Sequence, residues 1–194
     1  MEQSPPQSDF QIRFRKTMAE LEKCGVAALT DLYDLAAPRA LRYALTLLRN
    51  QHDAEEALQA TFVKVASSMA LFVQADSPWA YFMQIVRHEA YNILRKQKRQ
   101  MSLEFAPEIA EESDFNYDDV EQQQSIEQAL QRLPAEQAEV VILKIWEELT
   151  FQEIGLVLNQ SPNTIASRYR YALSKLEQSL QTTFEDFYFD DARS

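Results

Sequence analysis

Apolar residues return every three or four positions along most of this chain, and no stretch alternates apolar and polar residues long enough to make a strand. That period lines one face of an α-helix, so the predicted fold class is all-α. Leu29, Leu32, Leu35, Leu41, Leu45 and Leu48 mark a first stripe, in which Pro38 is expected to kink the helix or divide it in two. Ala54, Ala57, Leu58, Phe62, Val65 and Met69 mark a second, opened by Asp53 and Glu56 as an acidic capping box. Ser77 and Pro78 open a third, a capping hydroxyl followed by a first-turn proline. Its stripe is Trp79, Phe82, Ile85, Val86, Ala90, Ile93 and Leu94.

Residues 101–125 break this pattern, with eight acidic residues, no basic one and no sustained helical period. Such a segment reads as a solvated, self-repelling linker. Beyond it the helices shorten. One spans Ile126 to Leu133 and stops at Pro134. The next runs from Ala135 to about Glu148, with Val140, Val141, Lys144, Ile145 and Glu148 near one face. A third covers Thr150 to Leu158, opened by a Thr150–Glu153 capping box. Asn159 and Gln160 make a turn, and Ser161-Pro162 opens a long helix with Ile165, Tyr169, Ala172, Leu176 and Leu180 along one side. The expected organisation is two small helical domains joined by an acidic linker, the second containing a helix-turn-helix. By residue it is an N-terminal extension (1–24), a first domain (25–100), the linker (101–125), a second domain (126–181) and an acidic, aromatic tail (182–194).

Thirty Asp and Glu against nineteen Lys and Arg leave a net charge of −11, which at face value argues against an anionic partner. The acid is unevenly placed. Residues 1–100 carry 13 basic and 11 acidic side chains, whereas residues 126–194 carry 6 and 11. The third helix ends in Arg95, Lys96, Lys98 and Arg99, preceded by Arg87 and sharing the helix with Trp79, Tyr81, Phe82 and Tyr91. Cations interleaved with rings suit single-stranded nucleic acid, where phosphates are held while bases stack. The same residues also suit a helix end that complements its dipole, with the aromatics in the core.

The segment LTFQEIGLVLNQSPNTIASRYRYAL has the spacing of a helix-turn-helix, with Gly155 allowing close helix crossing and Asn159 tolerating a left-handed turn. In that motif the start of the second helix enters the major groove. Asn163, Thr164, Ser167, Arg168, Arg170 and Tyr171 are expected to face outward, leaving Ile165, Tyr169 and Ala172 to the core. An ordinary helical hairpin with a polar face is the alternative.

Catalytic chemistry finds little support. The chain has no P-loop, no HExxH, no Gly-x-Ser-x-Gly and no paired cysteines, and Cys24 stands alone. His52 and His88 offer little, and Asp53, Glu55 and Glu56 lack a histidine in a matching position for a metal. No enzyme activity, metal or cofactor is expected. The N-terminus lacks the apolar core of a signal peptide, and no apolar run approaches the roughly 20 residues of a membrane span. A cytoplasmic protein without membrane insertion is expected.

Together the two constellations resemble the bacterial RNA polymerase sigma factors, specifically the small extracytoplasmic-function group. DLYDLAAPRALRYALTLLRNQHDAEEALQATFVKV and SPWAYFMQIVRHEAYNILRKQKR look like the family's second region. IEQALQRLPAEQAEVVILKIWEELTFQEIGLVLNQSPNTIASRYRYALSKLEQSL looks like its fourth. The resemblance implies a sigma factor that binds core RNA polymerase and directs promoter recognition and transcription initiation. Asp53, Glu55, Glu56, Gln59 and Phe62, with Ala54 and Thr61, match the segment that docks on the polymerase's largest subunit. Trp79, Tyr81, Arg87, His88, Tyr91, Asn92, Arg95, Lys96, Lys98 and Arg99 fall in the helix that recognises and melts the minus-ten element. Ser161, Asn163, Thr164, Ser167, Arg168, Arg170 and Tyr171 fall at the start of the helix that reads the minus-thirty-five element. Promoter DNA, core polymerase and an anti-sigma factor are the implied partners, and the acidic linker would thread between the domains along a path that otherwise holds nucleic acid.

The chain also departs from the family pattern. Members usually carry Asn and Asp where this chain has His88 and Asn92, and a basic residue near Ala166. A carboxylate missing at position 92 is expected to alter a structural hydrogen bond or the base preference. The tail reads either as a frayed terminus or as a shield over the basic reading helix. A sigma-like adaptor that does not read promoters and a stand-alone helix-turn-helix regulator are the competing functions. The total charge further implies that the protein binds DNA poorly without polymerase.

Overall fold

The computed structural model describes residues 9–103, 129–130 and 132–190, and all regular structure among them is helical. The chain divides into two compact units. The helix that begins at Pro78 takes in the first three residues of the expected linker, while residues 104–125, the segment 126–128 of the predicted Ile126–Leu133 helix and the last four residues of the tail lie outside the described residues.

In the first unit, helices α1 (Asp9–Cys24), α2 (Leu29–Leu48), α3 (Gln51–Ser67), α4 (Met69–Val73) and α5 (Pro78–Leu103) pack around one core. Helix α1 corrects the expected boundary at residue 25. Phe14, Met18 and Leu21 recur at the helical interval and are 0–1% exposed, so residues read as an extension belong to the core. Gly25, with φ of 62°, ends α1 in the left-handed region and leads through a 3-10 turn, Gly25–Ala28, into α2.

Two local details refine the expectations. Helix α2 is not divided at Pro38, which lies on an exposed face. It ends at Arg49 (φ 52°), whose N–H bonds the Leu45 carbonyl at 2.8 Å. Helix α3 then starts earlier than the Asp53–Glu56 box implies. Its cap is Asn50, whose Oδ1 accepts the Asp53 N–H at 3.0 Å. Its stripe ends at Val65, because a break at Ser68 places Met69 in the separate helix α4.

The core is aromatic. Trp79 stacks on Phe82 with centroids 5.4 Å apart and planes 13° from parallel. Phe14 meets Trp79 edge-on at 4.9 Å, Phe62 meets Phe82 at 5.4 Å, and Phe72 meets Phe82 at 6.3 Å. These T-shaped contacts bring positive ring edges to negative ring faces and lock α1, α3 and α4 onto α5.

Beyond the linker the chain forms α6 (Ala135–Ile145), α7 (Phe151–Leu158) and α8 (Pro162–Asp190). Helix α6 is shorter than predicted: Glu148 turns left-handed at φ 57°, and the Leu149 N–H returns to the Leu143 carbonyl at 3.0 Å. Leu133, Ala138, Val141 and Ala172 form its core cluster, with Leu130, Trp146, Tyr169 and Leu176 packed against it. The backbone of α8 continues to Asp190, past the expected domain end at residue 181.

Since Phe14 is 1% exposed and touches both rings of the central stack, F14A is expected to cost the first unit about 3–5 kcal/mol. Urea unfolding of the full chain measures the loss, which an extension outside the core would not show.

Candidate nucleic-acid interface

Helix α5 divides into two functional halves. In the N-terminal half Trp79, Ala80, Phe82, Met83 and Val86 are buried. This corrects Trp79 as a DNA-contacting residue: at 2% exposure its ring is enclosed by Phe10, Phe14 and Phe82 and has no face to offer a base. Tyr81 is half-buried against Phe72, with centroids 4.8 Å apart. Tyr91 is half-buried under the Arg87 guanidinium, 4.5 Å above its centroid, a cation–π contact that orients both groups. His88, Arg95, Lys96, Lys98 and Arg99 are exposed or half-buried, so the cations of the C-terminal half do reach solvent.

A polar chain crosses from α3 to this basic end. The Lys64 ammonium meets Glu89 Oε1, Asn92 Nδ2 donates to Glu89 Oε2 at 3.3 Å, and an Arg95 Nη2–H donates to Asn92 Oδ1. The carboxylate expected at position 92 is thus absent, but Glu89 supplies one a turn earlier. Burial pushes the Glu89 carboxyl up. Bonds from Lys64 and Asn92, aided by the charges of Lys64 and His88, outweigh it and hold the group below the usual carboxylate range. The sequence reading missed Glu89, although its three-residue spacing to Asn92 and Arg95 is visible in the sequence.

The outer face of α3 carries Glu55, Glu56 and Gln59, all exposed, with Asp53 partly covered. Asp53 Oδ2 accepts the Gln97 amide of α5 at 2.8 Å, and Glu56 lies 3.7 Å from Lys96. That pair is exposed on both sides and adds little stability. Phe62, expected on the same face, is 7% exposed and belongs to the aromatic core, a second correction. Val63 is 66% exposed beside this face, and nothing in the stripe pattern singled it out.

The helix-turn-helix is built by backbone chemistry. Thr150 and Glu153 form a reciprocal box: the Thr150 N–H donates to Glu153 Oε2 at 2.8 Å, and the Glu153 N–H to Thr150 Oγ1 at 3.2 Å. Asn159 takes the left-handed conformation (φ 54°), and the Gln160 N–H closes on the Gly155 carbonyl at 2.9 Å. A Cβ on Gly155 would stand 2.7 Å from the Gln160 carbonyl oxygen. The glycine therefore serves the turn backbone rather than the crossing of two helices. Ser161 Oγ accepts the Thr164 N–H at 3.1 Å and caps α8.

On α8, Ile165 and Ala172 are buried and Tyr169 packs on Phe151 at 5.5 Å, as the stripe predicts. Ser161, Asn163, Arg170 and Tyr171 are exposed, while Thr164, Ser167 and Arg168 are half-buried. The Ser167 hydroxyl donates to the Asn163 carbonyl at 3.0 Å, and the Thr164 hydroxyl lies 2.8 Å from Ser161 Oγ. Arg168 is held by Glu136 of α6, 2.6 Å from Nη2, a partner that the sequence spacing did not reveal.

Among the described residues no cluster of His, Cys, Asp or Glu is arranged to hold a metal, and no helix is long and apolar enough to cross a membrane. A cation-ended helix in one unit and a capped helix-turn-helix in the other define a two-domain DNA-reading protein. Residues 32–100 match the family described as Sigma-70 region 2, and residues 123–176 match Sigma-70, region 4. The chain is 29% identical over 147 residues to the RNA polymerase sigma factor SigV of Bacillus subtilis (strain 168), covering 75% of this chain and 85% of the relative. It is 28% identical over 155 residues to the RNA polymerase sigma factor CarQ of Myxococcus xanthus, covering 79% and 89%. The fold matches the sigma factor RpoE of Bartonella quintana, solved with the anti-sigma factor NepR, at a TM-score of 0.65. That match has 24% identity and covers 80% of this chain and 98% of the other. The chain belongs to the sigma-70 family, in its extracytoplasmic-function group: a sigma factor that binds core RNA polymerase and directs promoter recognition and transcription initiation.

Two outcomes follow from the geometry. G155A forces its new methyl against a backbone oxygen, which cannot rotate away as a side chain would, and is expected to cost about 1–3 kcal/mol in urea unfolding. For Glu89, a folded pKa below the unfolded value of about 4.3 stabilises the protein above that value, and the contribution disappears as pH falls through the lowered one. E89Q is accordingly expected to unfold at lower urea than wild type at pH 7, and the gap is expected to close below about pH 4.

Proposed function

We propose that the sigma-factor work is divided among three surfaces. The outer face of α3, with Asp53, Glu55, Glu56 and Gln59, docks on core polymerase. The C-terminal half of α5 meets the minus-ten element through Arg95, Lys96, Lys98 and Arg99, with Arg87, His88, Tyr91 and Asn92 flanking them. The start of α8 reads the minus-thirty-five element, Asn163, Arg170 and Tyr171 reaching outward and the half-buried Arg168 held beside them by Glu136, while Ser161, Thr164 and Ser167 shape the helix start. Trp79 and Phe62 act from the core by fixing α5 against α3.

The observation that supports this reading most is the solvent access of four cations at the end of a helix whose other half is buried, within the segment matched to region 2. Phosphate contacts from such a run position DNA without reading it, whereas side chains at the start of a major-groove helix read base edges. The protein works without an active site of its own, in the cytoplasm where core polymerase is. Two structures of similar fold are complexes, the sigma factor RpoE with the anti-sigma factor NepR and CnrH with the cytosolic domain of CnrY. An anti-sigma partner is therefore part of the proposal.

Run-off transcription with core polymerase tests the division. Replacing Arg95, Lys96, Lys98 and Arg99 by Ala is expected to weaken open-complex formation on every recognised promoter and to lower the salt slope by about 1 for each phosphate left unneutralised. R168A is instead expected to change the ranking of promoters. A chain that binds core polymerase yet directs no start site would be an adaptor, and a quadruple variant that transcribes like wild type would remove the α5 assignment.

A further inference from the structure

The chain from Lys64 to Arg95 has a polarity that chemistry alone determines. Lysine and arginine side chains only donate, and an ionised carboxylate only accepts. Asn92 is the one member that can do both. With Glu89 accepting from one side, the Asn92 amide must turn its NH₂ toward Glu89, and that leaves its oxygen toward Arg95. Glu89, Asn92 and Arg95 lie three residues apart, so they share a face of α5. Lys64 anchors that row from α3, and the Glu89 side chain is only 12% exposed whereas Arg95 is exposed.

We infer that Glu89 and Asn92 are positioning residues for the minus-ten contact: anchored by Lys64, Glu89 orients the Asn92 amide, and Asn92 holds the Arg95 guanidinium toward the DNA. The inference rests on the reading that the basic end of α5 meets the minus-ten element. An unrestrained arginine samples many rotamers and loses that freedom on binding, whereas one already tethered loses less. One bond to Asn92 still leaves Arg95 with four N–H donors. The lowered pKa of Glu89 keeps the acceptor charged at neutral pH, so the orientation of the amide is not reversed by protonation.

The polarity makes a swap possible. In E89Q the new side chain has one oxygen, which Lys64 attracts, so its NH₂ faces Asn92 and turns the Asn92 amide nitrogen toward Arg95. In N92D two carboxylates face each other. In the double variant E89Q/N92D, Lys64 meets the amide oxygen at position 89, the amide NH₂ donates to the carboxylate at position 92, and Arg95 donates to that carboxylate. Every donor again has an acceptor.

The test uses holoenzyme reconstituted from core polymerase and the full chain, on a genomic fragment carrying a mapped start and on its single-base minus-ten variants. E89Q and N92D are each expected to lower single-round transcription about three- to tenfold, on the fragment and on its minus-ten variants alike, and E89Q/N92D to return within about twofold of wild type. In an R95A background neither substitution costs anything further. N92A, which removes the link while leaving Lys64 and Glu89 paired, should lose as much as N92D. Additive losses in the double variant, or equal losses with and without Arg95, would reduce Glu89 and Asn92 to a structural role and overturn the inference. Wild-type transcription by R95A would instead overturn the reading of α5 on which the inference stands.

Discussion

The stack of Trp79 on Phe82, ringed by Phe14, Phe62 and Phe72, is the joint on which the first unit depends. It gathers rings from α1, α3, α4 and α5, so the acidic outer face of α3 and the basic end of α5 are held by one packed cluster. Sixteen residues separate Trp79 from Arg95, about 24 Å along the helix. That length allows one end of α5 to be dry and rigid while the other stays hydrated and charged. A cation run on an isolated helix would lack such an anchor, because a helix gains most of its stability from packing an apolar face.

Electrostatics in this protein is local. A net charge of −11 coexists with four solvent-accessible cations at the end of α5, and nearby carboxylates partly answer them, Glu56 beside Lys96 and Glu89 behind Asn92. Over distances longer than about 8–10 Å salt screens the remaining charge, so a cluster of four acts on a phosphate backbone largely on its own account. In the second unit the reading helix relies on backbone devices instead. A capping box, one left-handed asparagine and a glycine pressed against a carbonyl set where α8 begins.

The stripes of α3 and α5 were legible because burial on one helical face leaves its period in the residues themselves, whereas in α2 only Leu32 and Leu48 of the expected leucines are buried, beside Ala36, Ala40, Tyr43 and Ala44. So were the Thr150–Glu153 box, the turn at Asn159 and the core positions of α8, all of which depend on neighbours within four residues. Helix α1 was overlooked because Phe14, Met18 and Leu21 are scattered among charged residues, and their burial, with Phe14 packed against Trp79 and Phe82, marks them as core. Pro38 was expected to kink or divide α2, and the helix is not divided there. The cap of α3 shifted to Asn50 because a single side-chain oxygen already satisfies the Asp53 N–H.

By itself the sequence determined the helical class, the two-part organisation, the concentration of acid between the parts and the chemistry of the cations and the helix-turn-helix. Each of these follows from composition or from spacing within a few residues. Only the tertiary structure decided which rings are available. Trp79 and Phe62 looked like contact residues and are core, because burial depends on the surface another helix lays over a side chain, and the spacing within one helix does not contain it. It also decided which charges are tied, since Lys64 reaches Glu89 and Glu136 reaches Arg168 across sequence distances that no local pattern spans.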